Sequence, residues 1–334
     1  MELVGAAIGE RRGTMSLVSR AALAALVVAI ASMPAQAWPD RPIKAFIPFG
    51  AGSATDVIPR TVFDALSAEL GQQIIVENKG GAGGTLGIGE VVRANPDGYT
   101  ILANSSAHAI APFIVPNFPF DLKRDLSGVL MIGQNANVML VLPSRGWKTM
   151  TDFVAAAKAK PGSMNFGSAG LGTATHICGE RLKLAAGIEA THVPYKGGAE
   201  ALTDLLGGRI DFLFTPISTA LPLIRDGRAI PLMVSTPTRA SDLPEVPTPI
   251  DLGYKDATTI VWYAVFMPAK TPREIVDKFH SAATKVLASQ EMQAKLKKLA
   301  VDPMPMSPEQ MNRFVAGELA SNERLIKAAG ITPK

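Results

Sequence analysis

Two short runs of small residues carry the chemistry this chain can offer. Pro48-Phe49-Gly50-Ala51-Gly52-Ser53-Ala54-Thr55-Asp56 follows the strand-like run Ile43–Ile47 and precedes an apolar-periodic helix. Gly167-Ser168-Ala169-Gly170-Leu171-Gly172-Thr173 stands in the same position after Met164–Phe166. A strand-to-helix turn of small residues leaves backbone N–H groups free at the positive end of a helix, a cradle for an anion. Two such cradles without a catalytic set describe a protein that holds a small acid rather than converting it.

The motifs of common enzymes are missing. No G-x-S-x-G elbow surrounds Ser168. The run from Gly81 has Leu86 where a dinucleotide fingerprint needs its third glycine, and no G-K-S/T occurs. His108, His176, His192 and His280 show no H-x-x-x-H spacing, so neither a metal nor another cofactor is expected. A Ser168/His176 hydrolase pair is the surviving enzymatic alternative, because such partners need not be neighbours in sequence. The single cysteine, Cys178, excludes an internal disulfide and reads as a small buried hydrophobe on a helix.

Positioning the two turns requires alternating strands and helices, the signature of an α/β architecture with mostly parallel sheets. After Ile43–Ile47, a helix with Ile58, Val62, Leu66 and Leu70 at i+4 steps stops at Gly71. Ile74–Glu77, Tyr99–Ala103, Val138–Leu142, Thr191–Tyr195, Ile210–Phe214, Pro231–Ser235 and Trp262–Met267 read as further strands. Thr149 caps a helix over Asp152–Lys160, and another helix runs from Thr173 to Gly187. Two helices close the chain, each opened by a capping box, Thr271-Pro272-Arg273-Glu274 and Ser307-Pro308-Glu309-Gln310. The expected organisation is a discontinuous first lobe, 38–142 plus 264–334, with a second lobe, 143–263, inserted between two hinge crossings. Such clamshells bind small molecules in the interdomain cleft.

At 334 residues and 47% hydrophobic, the chain is long enough for two cores. Arg20, the apolar run Ala21–Ala31 and Ala35-Gln36-Ala37 form a secretory signal cleaved after Ala37, with an apolar stretch too short to span a bilayer. Met15 is the better start residue, which puts residues 1–14 outside the translated chain. Arg11-Arg12 offers a twin-arginine alternative that the following residues match poorly. Removing Arg11, Arg12, Arg20, Glu2 and Glu10 with the signal takes the net charge from +4 to +3. The remaining basic residues are scattered, so nucleic acid is not an expected partner.

Several ordered motifs extend this reading. Trp38-Pro39-Asp40-Arg41-Pro42-Ile43, Pro48-Phe49 through Asp56 and Arg60, Val76-Glu77-Asn78-Lys79, Gly81-Ala82-Gly83-Gly84 and Pro96-Asp97-Gly98-Tyr99-Thr100 come first. Ser168-Ala169-Gly170, Gly172-Thr173 with His176, Val193-Pro194-Tyr195-Lys196-Gly197, Asp204-Leu205-Leu206-Gly207-Gly208 with Asp211, and Ala220-Leu221-Pro222 follow. In this order the chain resembles the Bug family, periplasmic solute-binding proteins of tripartite tricarboxylate transporters.

The resemblance implies a periplasmic binding protein fold of type II, two α/β domains with a two-strand hinge. It implies a monomer that captures a small organic carboxylate and delivers it to the transporter's membrane subunits. A sensory role, presenting the ligand to a membrane sensor kinase, is the alternative with the same pocket. The implied gripping loops are Phe49, Gly50, Ala51, Gly52, Ser53 and Asp56 on one lobe and Ser168, Ala169, Gly172 and Thr173, with His176, on the other. Ser105, Ser106 and His108 are placed at a strand's C-terminal end, where the cleft of an open α/β sheet lies. Asp56 and His176 each have a second reading, as a helix cap and as a packed histidine. Many relatives carry an acid where this chain has Thr215-Pro216; without a partner for a ligand ammonium, a di- or tricarboxylate or an aromatic acid is expected over an amino acid.

Overall fold

The computed structural model describes residues 38–332. The signal segment, its cleavage site and the choice of start residue lie outside them. Residues Arg41–Lys334 form one unit. Among the described residues no helix is long and apolar enough to cross a membrane.

Two five-stranded sheets repeat one topology. In the first, β1 (Ile43–Ile47) pairs parallel with β2 (Ile74–Asn78) and β3 (Thr100–Ser105). β10 (Val261–Pro268) then runs antiparallel between β3 and β4 (Leu126–Asn135), giving the order β2-β1-β3-β10-β4. The second sheet, β7-β6-β8-β5-β9, comprises β5 (Asn137–Val141), β6 (Met164–Ser168), β7 (Ala190–Pro194), β8 (Phe212–Pro216) and β9 (Ile230–Val234). Its β6 is parallel to β7 and β8, and its β5 antiparallel to β8 and β9. Every residue of β5 is buried, as expected of a strand covered on both faces.

Helices α1 (Ala54–Leu70) and α2 (Thr85–Val92) follow β1 and β2; α3 (Met150–Ala159), α4 (Ala174–Ala186), α5 (Gly198–Leu206) and α6 (Ile217–Arg225) serve the second sheet. Three helices close the chain: α7 (Arg273–Ala288), α8 (Gln290–Lys298) and α9 (Pro308–Ala328). The Ser307 capping box forms, Gln310 accepting from the Ser307 amide at 2.8 Å. The one expected at Thr271 does not: its hydroxyl donates to the Pro268 carbonyl at 2.8 Å, and Pro272 takes the cap position.

The sheet membership of two strands differs from the expected division of the chain. β5 belongs to the second sheet, so the chain crosses at Ala136 rather than after Leu142; β10 belongs to the first from Val261 rather than from 264. The crossing segments are bonded together, Ser235 N–H to the Asn137 carbonyl at 2.8 Å and Thr259 N–H to the Ser235 carbonyl at 2.7 Å. Cys178 on α4 packs beside them, Asn137 Nδ2 lying 3.7 Å from its sulfur, and burial pushes the thiol up to about 11. A thiol held protonated in this way acts as the packing residue that the sequence suggests.

Candidate ligand-binding site

The first turn folds as a cradle because Asp56 anchors it from inside. Asp56 Oδ2 accepts the Gly52 N–H at 2.8 Å, and Oδ1 accepts from Arg60 Nε at 2.7 Å and Asn78 Nδ2 at 2.9 Å. Asn78 also donates to the Phe49 carbonyl at 3.0 Å. Burial works against this carboxylate, but the bonds from Gly52, Asn78 and Arg60 outweigh it and hold its pKa below the ordinary 3.8. Gly52 takes φ +82°, a left-handed conformation in which a side chain is strained. Arg60, whose side chain is partly exposed, bonds Asp56 through Nε and Asn78 through Nη2, so its guanidinium is already engaged by the anchor.

What this leaves open is specific. The amides of Gly50, Ala51, Ala54 and Thr55 have no hydrogen-bond partner among the described residues. Ser53 occupies the cap position of α1, yet its hydroxyl makes no cap bond. That hydroxyl oxygen is buried and likewise unpartnered among the described residues. Donors therefore converge on the N-terminus of α1, where an anion is favoured.

The second turn is braced more heavily. Ser168 Oγ is within 2.7 Å of His192 Nε2 and also bonds the Gly170 carbonyl and amide, each at 3.1 Å. The Ala169 amide donates to Thr175 Oγ1 at 3.0 Å, and the Gly172 amide to His176 Nδ1 at 3.1 Å. Thr173 caps α4 and donates to the Gly170 carbonyl at 2.7 Å. His176 stacks on His192 with ring centroids 3.9 Å apart, and burial, followed by His192 and Lys183, lowers its pKa to about 3. A neutral ring is required here, because Nδ1 must accept. Among the described residues the amides of Leu171, Ala174 and Thr175 remain free.

Ile114 and Val115, in the segment between β3 and β4, pack against Gly172 of the second turn and against Gly83. A Cβ on Gly83 would collide with Val115 Cγ2, and one on Gly172 with Ile114 Cδ1. A Cβ on Gly80 would lie 3.7 Å from the Phe49 carbonyl carbon. Val57 in the first turn of α1 and Leu171 in the second small-residue turn are exposed apolar side chains.

Not every expected residue meets this site. Phe49, Gly50, Ala51, Gly52 and Ser53 form the first cradle. Asp56, Ser168, Ala169, Gly172, Thr173 and His176 use the polar groups described above to hold the turns in shape. Ser105 and Ser106 are buried at the C-terminal end of β3, and Thr215 is buried in β8 opposite Val138. His108 points elsewhere, stacking on Phe266 at 4.1 Å with Trp262 at 6.4 Å. Its sequence position at a strand end does not fix which side of the sheet the ring takes. Ile114 and Val115 had no polar signal to mark them. The large groove of ≈ 710 Å³, lined by Leu130, Thr284, Leu296, Met304 and neighbours, lies away from both cradles.

Two sheets of the same topology, joined by two bonded crossings and carrying paired anion cradles, define the periplasmic binding protein class. A family model described as "Tripartite tricarboxylate transporter family receptor" matches residues 58–331, and the chain belongs to that family. Among its relatives, the UPF0065 protein in the tcbD-tcbE intergenic region of Pseudomonas sp. (strain P51) is 32% identical, covering 96% of this chain and 94% of its own length. BugT of Bordetella pertussis is 30% identical over 90% of this chain and 93% of its own. Among solved structures, R. palustris Rpa4515 with adipate is 31% identical with a TM-score of 0.75, covering 89% of this chain and 100% of its own. MatC from Rhodopseudomonas palustris with bound malate is 26% identical with a TM-score of 0.71, covering 86% of this chain and 100% of its own. The chain is a solute-binding receptor of a family of receptors, not of enzymes.

Proposed function

We propose that this receptor captures a small dicarboxylate in the periplasm, after cleavage following Ala37, and delivers it as a monomer to the membrane subunits of a tripartite tricarboxylate transporter. The observation that carries the reading is the Ser53 hydroxyl, buried without a partner among four free amides at the start of α1. One carboxylate takes Ser53 Oγ and the amides of Gly50, Ala51, Ala54 and Thr55; the second faces the free amides at the start of α4. The lobes are 41–136 with 261–334, and 137–260. Hydrogen bonds to a charged group contribute roughly 1.5–3 kcal/mol each. Four to six of them, less ordering and desolvation, leave an affinity of about −8 kcal/mol, near micromolar. A ligand touching both lobes only when they approach favours the closed state. Adipate and malate bound to structural relatives support a dicarboxylate.

The test is calorimetric titration of the purified protein with malate, adipate, citrate and benzoate. A dicarboxylate should bind, and Ser53→Ala should weaken it about tenfold, the equivalent of about 1.4 kcal/mol. No binding across the panel, or equal affinity in Ser53→Ala, overturns the assignment.

A further inference from the structure

The contacts proposed for the dicarboxylate do not include His108. The ring is 1% exposed, and burial lowers its pKa to about 3, so it is neutral at physiological pH. Its tautomer follows from Asn104, whose Oδ1 accepts the Ser105 N–H at 2.8 Å. That orientation turns the Asn104 amide nitrogen toward His108 Nδ1, 3.5 Å away, so Nδ1 accepts and Nε2 carries the proton. Nε2–H is buried and has no acceptor among the described residues. A buried donor left unmade is costly, so such a group calls for an occupant.

His108 lines a cavity of ≈ 260 Å³ beneath α9, distinct from both cradles. Phe266, Leu122, Leu126 and Val315 supply apolar walls. Asn312 is saturated: it accepts the Gly128 N–H at 2.8 Å, and its two Nδ2 hydrogens are shared among Ser127 Oγ, Gly128 O and Pro308 O. Because Ser127 Oγ accepts from Asn312, its own O–H is left to donate. Lys123 contributes an ammonium at the exposed rim. Among the lining residues, His108, Ser127 and Lys123 carry N–H, O–H and ammonium donors over an apolar floor. A dry cavity of about 150 Å³ is enough for benzene, and this one is larger.

We infer that this cavity is a second binding site, for a small monocarboxylate with a compact apolar body, benzoate in size. The ring rests on Phe266 and the leucines, while the carboxylate takes Nε2–H of His108 and the Ser127 hydroxyl with Lys123 balancing the charge.

The experiment titrates benzoate into protein labelled with 15N-histidine and follows the His108 Nε2–H resonance. The resonance should shift and saturate in the millimolar range. Ala316→Leu, which fills the cavity, should abolish the shift, and Ser127→Ala, which hardly changes the volume, should weaken it severalfold. Gly52→Val, which blocks the first cradle, should leave it intact. An unmoved His108 resonance overturns the second site, as does a shift that vanishes in Gly52→Val, because the response would then be relayed from the cleft. Dicarboxylate titration of the same samples reports on the cleft separately.

Discussion

Replacing Asp56 by Asn removes a negative charge from beside an anion site, yet it should weaken ligand binding. The carboxylate is 3% exposed and accepts from Gly52, Arg60 and Asn78. In the variant, Oδ1 still accepts from Arg60 and Asn78 without charge assistance, at a loss of about 1 kcal/mol each. The new Nδ2 meets the Gly52 N–H donor to donor, and that bond is lost for about 1 kcal/mol more. The total of about 3 kcal/mol corresponds to a midpoint about 6 °C lower for a chain of this size. Sign follows from the pKa. Asp56 is held below 3.8, so its contribution is present above that value and fades as pH falls through the folded-state pKa. Thermal melts of wild type and variant should therefore differ fully at pH 7 and converge only below pH 3.8. Calorimetry at pH 7 should show a dicarboxylate bound at least tenfold more weakly, because the Phe49–Ser53 amides lose their fixed geometry. An unchanged midpoint with tighter binding would refute the reasoning: Asp56 would then only repel the ligand.

Ser53→Ala should leave the melting midpoint within about 1 °C, against the ~1 kcal/mol usual for losing a helix cap, because Ser53 makes no cap bond; a larger fall in melts would show a structural role. Gly172→Ala should lower stability by about 1–2 kcal/mol from its φ of +73° and weaken binding by pushing off Ile114; melts and calorimetry should show Ile114→Ala restoring the binding part but not the strain. Arg181 Nη2 on α4 donates to Ser321 Oγ and Asn322 Oδ1 on α9, each at 3.0 Å, joining the two halves. Arg181→Met should cost about 3 kcal/mol in denaturant melts, as for two lost hydrogen bonds to a charged group, and a neutral result would mean the contact is not made in solution. His108 and His176 are neutral when folded, with pKa values of about 3 against the ordinary 6.5. Stability should therefore fall as pH drops below 6.5, by about 1.4 kcal/mol per histidine at pH 5.5; a flat profile between pH 7 and 5.5 in His176→Phe/His108→Phe and wild type alike would contradict their neutrality.

Much of this was legible because local chemistry and tertiary role coincide. The small-residue runs around Gly52 and Gly172 mark turns, Thr149 and Ser307 announce helix starts, and β1 and β6 read as strands leading into the two cradles. β4 escaped notice because Gly128 and Gly133 break its apolar run. Each is small for a tertiary reason: a Cβ on Gly128 would meet Met311 Cε at 2.6 Å, and one on Gly133 would meet the Asp302 carbonyl at 2.6 Å. Pro222 similarly masks α6, and α8 is a mostly polar helix without a strong apolar stripe. The cradle positions were readable, whereas the division of labour inside them was not. Whether Ser168 faces a ligand or His192 depends on a strand 24 residues away in sequence. Asp56 could be read as cap or contact until Asn78 and Arg60 closed on it.

A structure of the protein with its dicarboxylate bound tests the Ser53 cradle most directly. One carboxylate should lie within about 2.7–3.2 Å of Ser53 Oγ and of amides between Gly50 and Thr55, and the other at the start of α4. A ligand bound elsewhere, in the ≈ 710 Å³ groove beside α7 and α8 for instance, with Ser53 Oγ untouched, would contradict it.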